Sequence, residues 1–243
     1  YHNPLSKEVL YEWHTGRAAA CLDDVLKKFK GTVQCDGYGA YTSYAKGKED
    51  IEIACCWAHA RRKFYEARDE APAVAGWFLK QIQVLYAVES GLREAQATPL
   101  ERRGTRERDC RWWLNLLRKA LRLVLEKHLP KSQMGKAVSY TLSHWEQLTK
   151  YCSNGKIEID NNGVENAIRP TAVGKKNWLF IGHPRAGDRS AVIYTILENC
   201  KRLGINPHEY LKDVLTRLPG MKITQVGELL PAAWLAERAA KAA

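Results

Sequence analysis

Two carboxylates stand where chemistry could be done. Asp36 ends the run Thr32-Val33-Gln34-Cys35 and is followed by Gly37-Tyr38. A carboxylate at the C-terminal end of a strand lies where open α/β sheets bind their ligands. Asp-Gly after a strand is also ordinary turn chemistry. Glu165 lies in Asp160-Asn161-Asn162-Gly163-Val164-Glu165, ahead of Ile168-Arg169-Pro170. It projects from the first turn of a helix, and on local context alone a capping box with Asn162, three residues earlier, accounts for it better. Cations gather near both acids. Arg61-Arg62-Lys63 follow a strand, Arg169 and Lys175-Lys176 follow Glu165, and Arg185 and Arg189 flank a glycine loop. Carboxylates hold divalent metals and Arg/Lys groups hold a phosphate backbone. Acids in a basic surround therefore suit a metal-dependent enzyme acting on phosphodiesters.

Other chemistries have less support. Cys55-Cys56-Trp57-Ala58-His59 contains a Cys-x₂-His spacing, but a structural zinc site needs four ligands and no second close pair follows. Cys55 and Cys56 are expected to pack in the core, with His59 at a helix start. No Gly-x₄-Gly-Lys-Ser/Thr loop supports a P-loop ATPase, and no Gly-x-Ser-x-Gly elbow supports an α/β-hydrolase.

The elements that must position these groups read as strands and helices in alternation. Val9–Trp13, Thr32–Asp36 and Ile51–Cys55 are β-branched and aromatic and predict strands. Helices are expected over 18–29 and 57–71, which makes this end α/β. From about 73 to 151 the apolar spacing predicts three or four helices and no strand. Residues 101–131 carry ten Arg/Lys and four Asp/Glu, either a solvated helical face or one turned to DNA. Ile157–Asp160 is a brief extended run. A helix from Val164 is expected to end or break at Pro170. Asn177–Ile181 predicts a strand, 182–187 a loop, and Ser190–Leu203 a helix capped by Gly204. Pro207 starts a further helix, which Pro219-Gly220 ends. Leu229, Leu230, Trp234 and Leu235 form a small apolar cluster in the tail.

Composition sets the class of partner. The 243 residues carry 38 Lys+Arg against 27 Asp+Glu, a net charge of +11, which favours a polyanion, nucleic acid before an anionic membrane. With 45% hydrophobic residues the chain is globular rather than disordered. No apolar run approaches a membrane span, and residues 1–20 lack a secretory core. Seven scattered cysteines argue against a disulfide framework and for a reducing, cytosolic setting.

Six segments occur in order: Val33–Tyr38, Cys56–Phe64, Asp160-Asn161-Asn162 with Glu165, Ile168-Arg169-Pro170, Gly174–Phe180 and Asn206–Leu211. Together they resemble the transposases of the insertion sequence 66 group, and Glu228–Leu235 resembles that group's short C-terminal segment. The resemblance implies an RNase H-like mixed sheet flanked by helices and interrupted by an all-helical insertion. It also implies a DDE triad holding two Mg²⁺ or Mn²⁺ ions. By motif, Asp36 is the second acid and Glu165 the third, and the two are expected to meet across the fold.

Arg61, Arg62, Lys63, Arg169, Lys175, Lys176, Arg185 and Arg189 are then DNA-binding. The implied parts are a first part of the core at 1–72, a helical insertion at 73–151, a C-terminal part of the core at 152–219 and a short segment at 220–243. No residue here matches the family's first acid. The chain, beginning at Tyr1, is therefore expected to be partial, lacking the core's first strand, and inactive or nearly so by itself. The function implied is metal-dependent DNA strand cleavage and strand transfer at transposon ends. The protein would act as a homo-oligomer on end and target DNA, in the cytoplasm at the nucleoid. The alternatives are another RNase H-like nuclease and a catalytically inactive DNA-binding remnant.

Overall fold

The computed structural model describes residues 1–242. The chain divides into two compact units, one of Arg17–Asn162 and one of Tyr1–Gly16 with the chain from Gly163 onward.

The larger unit is built on a parallel strand pair, β1 (Gly31–Cys35) and β2 (Ile51–Cys55), in the register Val33 to Ile53 and Cys35 to Cys55. Parallel strands need a crossover, supplied here by the short helix of residues Gly39–Ala45. Before β1 a 3₁₀ turn (Ala19–Leu22) runs into α1 (Asp23–Leu26); α2 spans Gly39–Ala45. The 18–29 helix is thus shorter than its apolar spacing suggested. After β2 come α3 (Trp57–Glu66), α4 (Pro72–Glu94), α5 (Pro99–Asp109), α6 (Arg111–Leu125), α7 (Gln133–Ser143) and α8 (Trp145–Ser153).

Local sequence starts several of these helices. Thr98 and Glu101 form a reciprocal capping box at α5, with Pro99 in the first helical position. The Ser132 hydroxyl caps α7 by accepting from the Gly135 N–H at 3.0 Å.

Strands and helices share one core. The indole of Trp57, fully buried, donates to the Leu148 carbonyl at 2.8 Å and meets Trp145 edge-on at 6.1 Å. Phe64 stacks on Phe78 at 4.6 Å. Two of the ten cations of 101–131 belong inside: Arg106 is fully buried and Arg102 largely so, both paired with Glu89. A charge run that reads as surface therefore contributes to the interior.

Close approach fixes Gly155. A β-carbon there would lie 1.7 Å from the Pro99 carbonyl oxygen, a backbone atom that cannot swing aside. Gly155→Ala should therefore cost about 1–3 kcal/mol, as overpacking does. An unchanged urea midpoint would contradict this contact.

In the smaller unit, α9 (Asn162–Trp178), α10 (Pro184–Arg202), α11 (Pro207–Arg217) and α12 (Pro231–Ala242) carry most of the chain. Residues 9–13 are not a strand; His2 and Val9 make only an isolated antiparallel bridge. The reason is that helix α10 takes their backbone groups. The Asn199 amide accepts from the Val9 N–H at 3.0 Å and donates to its carbonyl at 2.8 Å, and Thr195 accepts from the Tyr11 N–H at 2.9 Å. The Trp13 ring lies on Gly187.

Pro170 does not end α9, which continues to Trp178. The proline deletes one backbone donor, and the neighbouring Thr171 hydroxyl donates to the Ile168 carbonyl at 2.7 Å. Asn177–Ile181 is not a strand either. Its first two residues finish α9, Leu179 turns with φ +60°, and the Leu179 N–H still bonds the Lys175 carbonyl. Residues 184–187, expected in a loop, are the first turn of α10.

Gly204, with φ +68°, closes α10 as its sequence position indicated. Cys200, Ile205, Tyr210 and Trp234 then make a small core of their own. The Tyr210 hydroxyl donates to the Leu229 carbonyl at 2.6 Å, and Trp234 donates to Asp213 at 2.7 Å. Among the described residues the sheet has two parallel strands rather than the mixed sheet expected, and the protein is mostly helical with a small α/β element.

Candidate active site and nucleic-acid interface

Asp36 leaves the C-terminal end of β1 exposed to solvent. Its Oδ1 accepts from the Tyr38 N–H at 2.9 Å, the short Asx turn that Asp-Gly predicts. Gly37 follows with φ +85°, and a β-carbon there would also meet Tyr140 and His144 at about 3 Å. The turn is anchored from the helical side. The Tyr140 hydroxyl on α7 donates to the Asp36 carbonyl at 2.7 Å, and Lys63 sits over the Tyr140 ring at 4.7 Å. Burial raises the pKa of Tyr140, so it remains a protonated donor.

The segment 157–161 returns to this same edge. Gln34 on β1 donates to the Glu158 carbonyl at 2.7 Å. The Trp57 N–H, just past β2, donates to Ile159 at 3.1 Å, and the Asn161 N–H approaches Cys56 Sγ at 3.4 Å. The run expected to be extended bends instead at Ile157, Ile159 and Asp160, and it is pinned at the strand ends without being a strand. Asp160 then organises the entry to α9, its two carboxylate oxygens accepting from the backbone and side-chain amides of Asn162 at 3.1 and 2.9 Å. Asn162 is thus itself the first residue of α9 rather than a cap outside it. Glu165 is half-buried in the first turn of α9, in the other unit from Asp36. A carboxylate there is favoured by the positive end of the helix dipole.

Arg106 holds the approach of this segment. Its guanidinium pairs with both oxygens of Glu89 at 2.7 Å and donates through Nη1 to the carbonyls of Tyr151, Asn154 and Ile157. Arg102 adds an ion pair to Glu158 at 2.7 Å. Burial would raise the Glu158 pKa, but the Arg102 bond and charge outweigh it and hold it below the usual carboxylate range. Nothing in the sequence marked Arg106, Gln34 or Tyr140 as positioning groups. Each sits in a pattern that reads as surface charge, strand or amphipathic helix.

The donor set at the strand edge suits a hard cation. Asp36 offers carboxylate oxygen, as Mg²⁺ and Mn²⁺ require. Cys55 and Cys56 are buried, as expected, and burial pushes the Cys56 thiol up to about 11. All seven cysteines are free.

The eight expected DNA-contacting cations fall on both units. Arg61 and Arg62 are exposed on the first turns of α3, and Lys63 is half-buried against Tyr140. Arg169, Lys175 and Lys176 are exposed on α9, and Arg185 and Arg189 on the first turns of α10. No helix of the described residues is long and apolar enough to cross a membrane.

Comparison with known proteins places the sequence in a transposase family. Residues 2–189 match the family described as Transposase IS66 family, and residues 195–232 match the IS66 C-terminal element. The chain belongs to the IS66 transposase family. It is similar to three proteins of Sinorhizobium fredii. Uncharacterized protein y4qI is 34% identical over 92% of this chain and 42% of its own length. Uncharacterized protein y4jD is 30% identical over 100% and 49%, and Uncharacterized protein y4hP 30% over 86% and 40%. The chain thus spans about half the length of the curated relatives it matches. No solved structure is significantly similar to it.

Proposed function

We propose that this chain is part of the catalytic domain of a DNA transposase that cuts and joins DNA strands at transposon ends with divalent metal ions. The observation that carries the reading is the strand edge. Asp36 is solvent-exposed at the end of a parallel strand, and the chain that leads into α9 and Glu165 is tied to the ends of both strands. In this reading Asp36 and Glu165 meet as metal-holding carboxylates of an RNase H-like core, and the helices between residues 73 and 151 are an insertion into that core. Mg²⁺ or Mn²⁺, when bound, supplies Lewis acidity at the scissile phosphate. The Asx turn at Asp36, the Tyr140 anchor and the Asp160 turn hold the two acids in position. The cations on α3, α9 and α10 bind the phosphate backbone and set its register without reading bases. The protein would work on DNA as a homo-oligomer in the cytoplasm.

The direct test is nicking of end-labelled transposon-end DNA by the protein expressed from its full natural coding sequence, with Mg²⁺ or Mn²⁺ and with EDTA. Cleavage that survives chelation would overturn the reading. Binding has its own signature. If the eight cations each neutralise one phosphate, the plot of log affinity against log salt for a duplex should approach a slope of about −7. Affinity independent of salt, or confined to one duplex sequence, would contradict a backbone-directed interface.

A further inference from the structure

The tip between α9 and α10 displays aromatic rings to solvent among cations. Phe180 is 81% exposed and Trp178 47%, with Leu179 and Ile181 also exposed. Burial normally claims such residues, and here the backbone holds them out. Leu179 adopts φ +60° and Gly182 φ +81°, so the chain turns sharply at the tip. The His183 ring caps α10 by accepting from the Arg185 N–H at 3.1 Å.

The Trp178 ring is supported from behind. A β-carbon on Gly174 would lie 2.1–2.9 Å from three atoms of its six-membered ring, so the indole rests on the bare backbone of its own helix one turn back. One face is fixed and the ring remains half accessible. Around it, residues 169–189 hold five Arg/Lys and one acid, Asp188. All five cations are exposed. The N-terminal end of α10 adds positive potential at the same place.

A propped aromatic ring in a cationic surround is the chemistry that binds unpaired nucleic-acid bases. The rings stack on base faces while Lys and Arg follow the phosphates. A second copy of the same tip is disfavoured, because it would bring like charges together. We propose that Trp178 and Phe180, flanked by Lys175, Lys176 and Arg185, form a stacking subsite for unpaired bases of a DNA strand. This rests on the transposase reading and adds to it a recognition of single-stranded DNA separate from duplex contacts.

The test compares fluorescence anisotropy of labelled dT₂₀ and of a labelled 20-base-pair duplex, at one salt concentration. Trp178→Ala and Phe180→Ala should each weaken dT₂₀ binding by roughly 5- to 150-fold, the range of one lost stacking contact, and change duplex binding by less than about twofold. Trp178→Phe should keep most of the single-strand affinity. Gly174→Ala, whose methyl displaces the ring, should lose it. Lys175→Ala with Lys176→Ala should weaken both forms and reduce the salt slope.

Unchanged dT₂₀ affinity in the Trp178→Ala/Phe180→Ala double variant, with normal duplex binding, would overturn the subsite and leave the transposase reading standing. Equal loss for both forms would also overturn it, as would a wild-type dimer that light scattering finds monomeric in the double variant with DNA binding intact. That last result would assign the tip to self-association. Failure of the wild type to bind either DNA would sink the transposase reading together with the subsite.

Discussion

Asp36→Asn should abolish metal-dependent strand cleavage while leaving the fold and duplex binding in place. The substitution is a clean one here. Asp36 is exposed, and asparagine keeps the oxygen that accepts from the Tyr38 N–H. The Tyr140 hydroxyl bonds the Asp36 backbone carbonyl, so that anchor is untouched. What changes is one formal charge and one hard donor. Metal-ion stabilisation of a phosphoryl transition state is worth several kcal/mol, and each 1.36 kcal/mol is tenfold in rate. Loss of the ion should therefore cost about 10³-fold or more. Glu165→Gln should do the same. The measurements, on the protein expressed from its full natural coding sequence, are single-turnover nicking rates with Mn²⁺, together with duplex affinity and the urea midpoint. A variant that retains more than about a tenth of the wild-type rate would remove that acid from the metal site. Unequal effects of the two would show that another carboxylate substitutes for one of them.

Arg106→Met should be among the most destabilising single changes in the larger unit, at about 3–5 kcal/mol. Arg106 and Glu89 are both 0% exposed, and their two-pronged pair lies wholly inside the helices. Removing the guanidinium leaves a buried carboxylate whose remaining cation, Arg102, stands at 3.3 Å. It also strips a donor from the carbonyls of Tyr151, Asn154 and Ile157. A typical domain has about 5–15 kcal/mol in total, so the loss is a large fraction. Glu89→Leu added to Arg106→Met should recover part of it, since a buried pair replaced by apolar groups is often neutral. The double variant should still fall short by about 1–3 kcal/mol, because the carbonyls remain without their donor. Urea unfolding at constant m would read both values. An Arg106→Met variant within about 1 kcal/mol of wild type would show that water or Arg102 replaces the guanidinium. Because Arg106 holds the segment that runs into α9, its loss should also slow cleavage.

Where local chemistry suffices, the sequence by itself determined the outcome. Ile51–Cys55 is a strand over the predicted residues, and Thr98-Pro99 starts α5 through its own cap. Gly204 stops α10 because its φ is positive there. Asp36 and Glu165 stood out by type, spacing and motif, and the Asx turn at Asp36 followed from Asp-Gly alone. The family was legible in ordered motifs, and the chain matches that family over residues 2–189 and its C-terminal element over 195–232.

Only the tertiary structure decided the rest, because the deciding partner lies far along the chain. Val9–Trp13 and Asn177–Ile181 have the same β-branched and aromatic character as Ile51–Cys55, yet neither is a strand. A strand needs a neighbour to take its backbone bonds. The first segment gives its bonds to Asn199 and Thr195, the second ends a helix, and β2 alone of the three finds a strand, β1, to pair with. Arg106 looked like one more surface cation until Glu89, 17 residues away, and three carbonyls 45–51 residues away closed around it. The same holds for the strand edge. A carboxylate's type is local information, but the Tyr140 anchor 104 residues away and the Gln34 bond to Glu158 across 124 residues arise only when the chain folds back on itself.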